Sequence, residues 1–406
     1  MYKKFMLNIL VLDCLPPLPV QCGHTLRVFR LSRELSKRHT CFAAFFPGPN
    51  INSTRENSGL NEVFAKSWNL SAMDGKVSWK RFLYPLEGHL VKRYNTEFWK
   101  RVCKEIDAII IKEKIDAVFI CGIEMAQYME GIAVGRKILD ICDSSVLTLE
   151  RQFCLETVTS LGVWLRRQVY LGRAKRAELN ISDKFNAVTV ASPADLHCLL
   201  QRNRNKDNIY LVPNGVDLPQ LTGIKISQER AVIFWGVLNF LPNSTAISFF
   251  MENVWPLIED QNIRWYIVGK NPPTWLQQAA HEHKGIELTG FVDDLPGFAA
   301  SVPIMVNPMQ IGSGIKNKVL EAFALQRAVI STTLGMEAIQ AQPGVHYLRA
   351  ETGPEFAEAI INLLENTELC LELGTSARKL VAEHYTWEKA GQKLETLFRS
   401  PDEKYI

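Results

Sequence analysis

Short apolar runs separated by helical segments constrain this chain more than any other feature. Residues 6–12, 41–46, 117–121, 136–142, 187–191 and 209–212 are each dense in Val, Ile, Leu, Phe or Ala. Apolar runs of this length without alternation read as strands buried on both faces, the habit of parallel sheets. After the first, residues 25–38 set Leu26, Phe29, Leu31 and Leu35 against Arg27, Arg30, Arg33 and Lys37, a helical pattern. Strand, glycine loop and helix open a doubly wound α/β domain, in which ligands sit at such loops. The series then stops at Pro213-Asn214-Gly215-Val216-Asp217, a turn with Asn-Gly at its centre, and a polar stretch to Arg230. It restarts with apolar runs at 231–235, 265–268, 286–288, 303–306 and 328–331. Two doubly wound domains are expected, 1–213 and 214–386, with a last helical segment at 387–406 that is a candidate for crossing back to the first domain.

The chain has 406 residues, enough for two or three domains at roughly 150 residues each. A formal net charge of +3 gives no reason to expect nucleic acid as a partner. None of the nine cysteines forms a C-x-x-C pair, and no Cys/His cluster has zinc spacing. Reduced thiols imply a cytoplasmic setting. The start, MYKKFMLNILVLDCL, superficially resembles a leader, but Asn8 and Asp13 break the apolar run and no small-residue cleavage site follows. It reads as a first buried strand. No stretch approaches the roughly 20 apolar residues that span a bilayer.

The most chemically suggestive stretch is PMQIGSGIKNKVLEAFALQR, residues 308–327. A glycine-bracketed turn, Gly312-Ser313-Gly314, leads into a helix expected at 315–325. Ile315, Val319, Ala322 and Phe323 make its apolar face, and Gly314, Lys318 and Glu321 a polar one. A helix start presents free N–H groups and suits an anion, and Lys316 and Lys318 add charge there. Glu321 would lie roughly 10 Å along the axis from Gly314, placed to accept from a sugar hydroxyl. Phosphate at one end and ribose at the other describe a nucleotide. A plain helix with solvated charges is the competing reading.

Two further stretches are basic and aromatic. Residues 76–104 interleave Lys76, Lys80, Arg81, Lys92, Arg93, Lys100, Arg101 and Lys104 with Trp79, Phe82, Tyr84, Tyr94, Phe98 and Trp99. Residues 158–180 carry Trp164 and Leu165 beside Arg166, Arg167, Arg173, Lys175 and Arg176. Either ordinary surface helices or peripheral contact with the inner membrane surface would explain them. Residues 50–76 read as a polar loop.

The motifs 212–217, Phe234-Trp235-Gly236, 289–295, 308–322 and 327–332, then His384-Tyr385-Thr386-Trp387-Glu388, occur in the order found in glycosyltransferase family 4. The second half resembles that family throughout; the first half resembles it near Gly23, Asp143 and 187–191. GSGIKNKVLEA and the Pro242-Asn243 pair are similar to exopolysaccharide-associated sugar transferases. The resemblance implies a GT-B fold, two Rossmann-like domains facing a central cleft. It implies a retaining, metal-independent hexosyltransferase of EC class 2.4. Such an enzyme moves a sugar from a nucleotide-diphosphate sugar to a glycan or lipid-linked acceptor in cell-surface polysaccharide synthesis. No cofactor beyond the donor is implied.

Carried over by residue, Glu321 matches the second glutamate of E-x7-E, the ribose ligand, and Gly312, Ser313 and Gly314 match the diphosphate and sugar cradle. Lys316 or Lys318 stands where phosphate is neutralised. Val292 matches the contact to the base, Gly236 the loop after the first strand of the second domain, and Gly23 the glycine loop of the first. The first glutamate of the motif is Ser313 here, and the arginine expected after Gly236 is Val237. The first-domain histidine has no counterpart beside Cys121-Gly122, and Cys142 precedes Asp143 where a histidine is common. Asp143 and Glu124 are the candidates for orienting the acceptor hydroxyl or drawing its proton, each with a structural role as the alternative, and His24, in the first glycine loop, is a candidate for hydrogen-bonding the donor, with an ordinary surface histidine as the alternative. These departures leave a second reading open: a catalytically inactive donor-binding or scaffold subunit of the same fold.

Overall fold

The computed structural model describes residues 6–20, 22–47, 59–71, 91–155, 160–221 and 229–399. The chain divides into two compact units, Met1–Pro213 with Ala390–Ile406, and Asn214–Lys389. The basic aromatic positions Lys76, Trp79, Lys80, Arg81, Phe82 and Tyr84 lie outside the described residues.

The first unit holds a seven-stranded sheet: β1 (Asn8–Asp13), β2 (Thr40–Phe45), β3 (Lys66–Asn69), β4 (Ala117–Cys121), β5 (Arg136–Cys142), β6 (Ala187–Val190) and β7 (Ile209–Leu211), in the order β3-β2-β1-β4-β5-β6-β7. All neighbours are parallel, and Ile9 of β1 pairs with Cys41 on one side and Ala117 on the other. Burial on both faces explains the unbroken apolar runs: every residue of β4 is buried. The expected polar loop at 50–76 contains edge strand β3, whose KSWN sequence has little apolar signal because it is mostly exposed. Short, charged edges resist further pairing.

The second unit holds six parallel strands: β8 (Ala231–Trp235), β9 (Arg264–Val268), β10 (Ile286–Gly290), β11 (Ile304–Asn307), β12 (Ala328–Ser331) and β13 (Leu348–Arg349), in the order β10-β9-β8-β11-β12-β13. Val232 pairs with Trp265 of β9 and Ile304 of β11. An aromatic cluster fills the core on one face, with the Phe250 and Trp265 rings 4.4 Å apart. The helix Gly353–Glu365 starts in a capping box between Thr352 and Glu355 and buries Phe356, Ile360 and Leu363 on its apolar face.

In each sheet the chain starts in the middle, builds to one side, then returns to build on the other. The reversal lies between β1 and β4 in the first unit and between β8 and β11 in the second. At such a point the loops leaving the two central strands diverge, opening a crevice at their carboxyl ends. Both candidate sites below lie there.

A buried ion pair locks the first helix, Gly23–Ser36, to its sheet. Arg27 donates from Nε to Asp140 Oδ2 at 2.8 Å and from Nη2 to Oδ1 at 2.7 Å, and from Nη1 to the Val212 carbonyl at 2.8 Å. Thr189 Oγ1 donates to Asp140 Oδ1 at 2.6 Å. Both ionic side chains are fully enclosed, so each depends on the other for solvation. Removing one partner leaves a buried bare charge, so Arg27→Met should destabilise the unit by about 3–5 kcal/mol. Adding Asp140→Leu should recover part of that loss. Urea unfolding measures both; a single variant within about 1 kcal/mol of wild type would remove this pair from its assigned role.

Candidate functional site

The second unit's crevice is lined by the loops after β8 and β11. The helix begins at Asn317 and ends at Ala324, starting later and ending sooner than the expected 315–325. Gly312 and Gly314 hold φ of +123° and +69°, and Lys316 is extended with ψ 93°, so the chain cannot coil before Asn317. Ile315 and Gly314 therefore belong to the turn, and the polar face expected to run from Gly314 is cut back to Lys318 and Glu321. Glu321 lies one turn into the helix, roughly 6 Å from its start.

Trp235, the last residue of β8, donates from Nε1 to Glu321 Oε2 at 2.8 Å. Oε1 of Glu321 has no partner among the described residues. Burial raises the Glu321 pKa, opposed first by the Trp235 hydrogen bond and then by Lys318. Lys318 Nζ donates to Asn243 Oδ1 at 2.5 Å and lies 3.9 Å from the Phe234 ring centroid. Asn243 is held in turn by its Nδ2 donating to the Val237 carbonyl at 2.9 Å. Burial, and after it the charge of Lys316, pulls Lys318 down to about 7. A cation held this weakly regains its proton when an anion arrives. Lys316 donates to the carbonyls of Ser313 at 2.7 Å and Gly314 at 3.0 Å, so it braces the turn. Asn317 Oδ1 accepts from Asn214 Nδ2 at 2.8 Å, tying the helix start to the Asn-Gly turn.

Gly236 follows β8 at φ +154°, and a Cβ there would lie 2.6 Å from Asn243 Nδ2. Val292 is half-buried just beyond β10, with β9 between that strand and β8. Its neighbour Phe291 is exposed, with Lys270 Nζ 4.0 Å from the ring centroid.

The first unit's crevice gathers a different set. Asp13 ends β1 and is buried; its Oδ1 is 2.8 Å from His24 Nε2. Asp13 Oδ2 is buried with no hydrogen-bond partner among the described residues. His24 is the second residue of the Gly23–Ser36 helix, one turn ahead of Arg27, so the buried ion pair also fixes where His24 reaches. Burial pulls the His24 imidazole down, but its hydrogen bonds to Asp13 and then Cys14 outweigh this and raise it to about 11. Gly122, after β4 with φ +88°, faces both Glu124 and His24: a Cβ there would lie 2.8 Å from Glu124 Oε2 and 3.9 Å from His24 Cε1. Gly23 is exposed at the helix start. Asp143 is exposed beyond β5, after Cys142 at φ +63°.

Asp13, Cys14 and His24 place ligand atoms within 4.8 Å of one another, close enough for a metal ion. His24 holds its proton to about 11, and burial raises the Cys14 thiol.

Of the sequence candidates, the structure brings Gly236, Gly312, Ser313, Gly314, Lys316, Lys318 and Glu321 around one crevice, and His24 and Glu124 around the other. Sequence reasoning missed Asp13, Cys14 and Asp140, and gave Trp235 and Asn243 no role. Asp13 carried one signal, as the charged end of an apolar run; the others carried none without the register.

Residues 229–366, within the second unit, match the family model described as glycosyl transferases group 1. A 44.6 kDa protein in the cps region of Klebsiella pneumoniae is 28% identical over 168 residues, 39% of this chain and 43% of that protein, so the chain matches less than half the length of this relative. Among solved structures, S. aureus TarM superposes with a TM-score of 0.72 at 13% identity, covering 98% of this chain and 100% of that one. HepE of Anabaena in complex with UDP-glucose gives 0.68 at 13%, covering 96% and 99%. Sucrose-phosphate synthase from Thermosynechococcus elongatus gives 0.70 at 15%, covering 97% and 98%. At these identities the likeness is one of fold. The fold is GT-B, built of two parallel-sheet Rossmann-like units, and the stretch that matches the family model lies in the second of them.

The His24–Asp13 pair makes a pH prediction. A histidine whose folded pKa is raised contributes stability fully present below its unfolded value of about 6.5, and loses it as pH rises towards the folded value. Wild type should exceed His24→Gln in stability most at about pH 6, with the gap narrowing by about pH 9.5. Urea midpoints at both pH values measure it; a gap that widens with pH would contradict the pairing.

Proposed function

We propose that this chain is a retaining, metal-independent glycosyltransferase of family 4 type. It would move a hexosyl group from a nucleotide-diphosphate sugar to a glycan or lipid-linked acceptor. The observation that carries the reading is Glu321: one oxygen is fixed by Trp235, and the other has no partner among the described residues, at the crevice between β8 and β11. A carboxylate so oriented is ready to accept from ribose hydroxyls.

In this reading the diphosphate lies against the Gly312-Ser313-Gly314 turn and the start of the Asn317–Ala324 helix. Transfer breaks the bond between the anomeric carbon and the diphosphate oxygen, and negative charge develops on the leaving group. Backbone N–H groups of the turn, with Lys318 and Lys316, meet that charge in the place of a metal. Ser313 touches the donor sugar, Val292 the base through its backbone, and Gly236 leaves room beside β8. The first unit takes the acceptor, with His24, Glu124 and Asp143 beside its hydroxyl and Gly23 at the loop edge. HepE binds UDP-glucose, which supports a nucleotide-sugar donor. The Klebsiella relative encoded in a cps region supports a role in cell-surface polysaccharide synthesis. Nine unpaired cysteines support a reducing, cytoplasmic setting. No helix among the described residues is long and apolar enough to cross a membrane.

A panel of UDP-, GDP- and dTDP-sugars tests the proposal: slow donor hydrolysis and transfer to glycan acceptors are expected. Tight binding without turnover on any donor would support the inactive-subunit alternative, which Ser313 and Val237 favour. Glu321→Ala should weaken nucleotide binding by about 1.5–3 kcal/mol in calorimetry, and unchanged affinity would remove Glu321 from the site. At about pH 8 binding of a nucleoside diphosphate should take up roughly one proton on Lys318, seen as a dependence of heat on buffer, and Lys318→Met should abolish it. Equal uptake by both proteins would contradict the assignment.

A further inference from the structure

The Leu161–Glu178 helix exposes Leu161 (72%), Trp164 (46%), Leu165 (51%) and Val169 (46%). Of 17 large hydrophobic side chains exposed among the described residues, these four fall within nine positions. At 3.6 residues per turn they share one sector of roughly 140°. Lys175 and Arg176, both exposed, occupy the same sector farther along the helix, and exposed Arg166 lies at its flank. No acidic residue occurs from 161 to 177.

The rotation of the helix is fixed from its buried side. Glu178 accepts from Ser144 Oγ at 2.9 Å and Val146 N at 3.2 Å. Arg167 is buried with its guanidinium 5.2 Å from the Phe153 ring centroid, and Ala174 is fully buried. Ser160 caps the start, accepting from Val163 N at 3.3 Å. These contacts hold the apolar sector outward. The acid beside the cations is Glu150, paired with Lys175 at 3.0 Å and Arg202 at 3.6 Å. Arg166, whose Nη2 donates to the Tyr170 hydroxyl at 2.9 Å, has no acidic partner among the described residues, and neither has Arg176.

We propose that this face is a docking surface for an anionic lipid bilayer, with Trp164, Leu165, Leu161 and Val169 entering the interface and Arg166, Lys175 and Arg176 meeting lipid headgroups. Cations in the same sector as the apolar residues favour a bilayer over a protein partner. A protein interface core is depleted of charge, whereas an in-plane helix lets long cationic side chains reach up to headgroups. The proposal goes beyond sugar transfer and is independent of it: its test needs neither donor nor acceptor.

Sedimentation of the full chain with phosphatidylcholine vesicles, with and without phosphatidylglycerol, provides that test. The chain should pellet with the anionic vesicles, less so as salt rises. The double variant Trp164→Asp/Leu165→Asp should lower the partition coefficient about tenfold or more, and Arg166→Glu/Arg176→Glu should lower it on anionic vesicles alone. Circular dichroism melting checks that each variant is folded, with Trp164→Ala/Leu165→Ala as the milder replacement. Failure of the wild type to pellet would overturn the proposal, as would pelleting unchanged in folded variants. A wild-type dimer, seen by light scattering without vesicle binding and dissolved by the aspartate pair, would assign the face to a second copy instead.

Discussion

Parallel pairing of β8 with both β9 and β11 is the constraint on which the second unit depends. Val232 lies between Trp265 and Ile304, so the chain grows its sheet from the middle outward in two directions. The loops that leave β8 and β11 are thereby forced apart. What fills the resulting crevice is set by the first residues beyond each strand: Trp235 and Gly236 on one side, the glycine turn before Asn317 on the other. The first unit repeats the arrangement with β1 and β4, and places Asp13 and Gly122 at its own crevice. One topological rule, applied twice, puts polar side chains at the carboxyl edge of an otherwise apolar sheet.

Those polar groups are held in ways that a purely structural surface would not need. Burial raises the pKa of Glu321 and lowers that of Lys318, and neither forms a salt bridge among the described residues. An anion and a hydroxyl-bearing ligand would complete both, which is the behaviour of a site whose electrostatics are settled only when occupied. The first unit differs. Arg27 and Asp140 pair with each other, with Val212 and Thr189 completing the set, and fix the helix that carries His24, while Asp13 raises the His24 pKa. The two crevices thus present opposite kinds of readiness: one with a labile proton on lysine, the other with a firmly held proton on histidine.

Much of the fold was legible because buried parallel strands announce themselves as apolar runs. The runs ending at Asp13, Cys121, Trp235 and Val306 lie on strands of the two sheets. β3 was not legible: an exposed edge strand keeps no apolar pattern, and Lys66-Ser67-Trp68-Asn69 reads as loop. The late start of the Asn317–Ala324 helix was hidden for a different reason. Periodicity places Ile315 on the apolar face, but the left-handed Gly314 and the bracing by Lys316 forbid helix there. At the site, Glu321 and Lys318 were readable from spacing on one helix. Their partners Trp235 and Asn243 come from 86 and 75 residues away, a separation that local pattern does not resolve. Asp140 looked like part of an ordinary strand until the register set it beside Arg27 and Thr189.

The central claim is that the crevice between β8 and β11 holds the nucleotide half of a sugar donor. A crystal structure of the protein soaked with uridine diphosphate tests it most directly. Ribose hydroxyls should lie within hydrogen-bonding distance of Glu321 Oε1, and diphosphate oxygens at the Gly312–Gly314 turn and Lys318 Nζ. A nucleotide bound elsewhere, with Glu321 still contacting Trp235 alone, would contradict it.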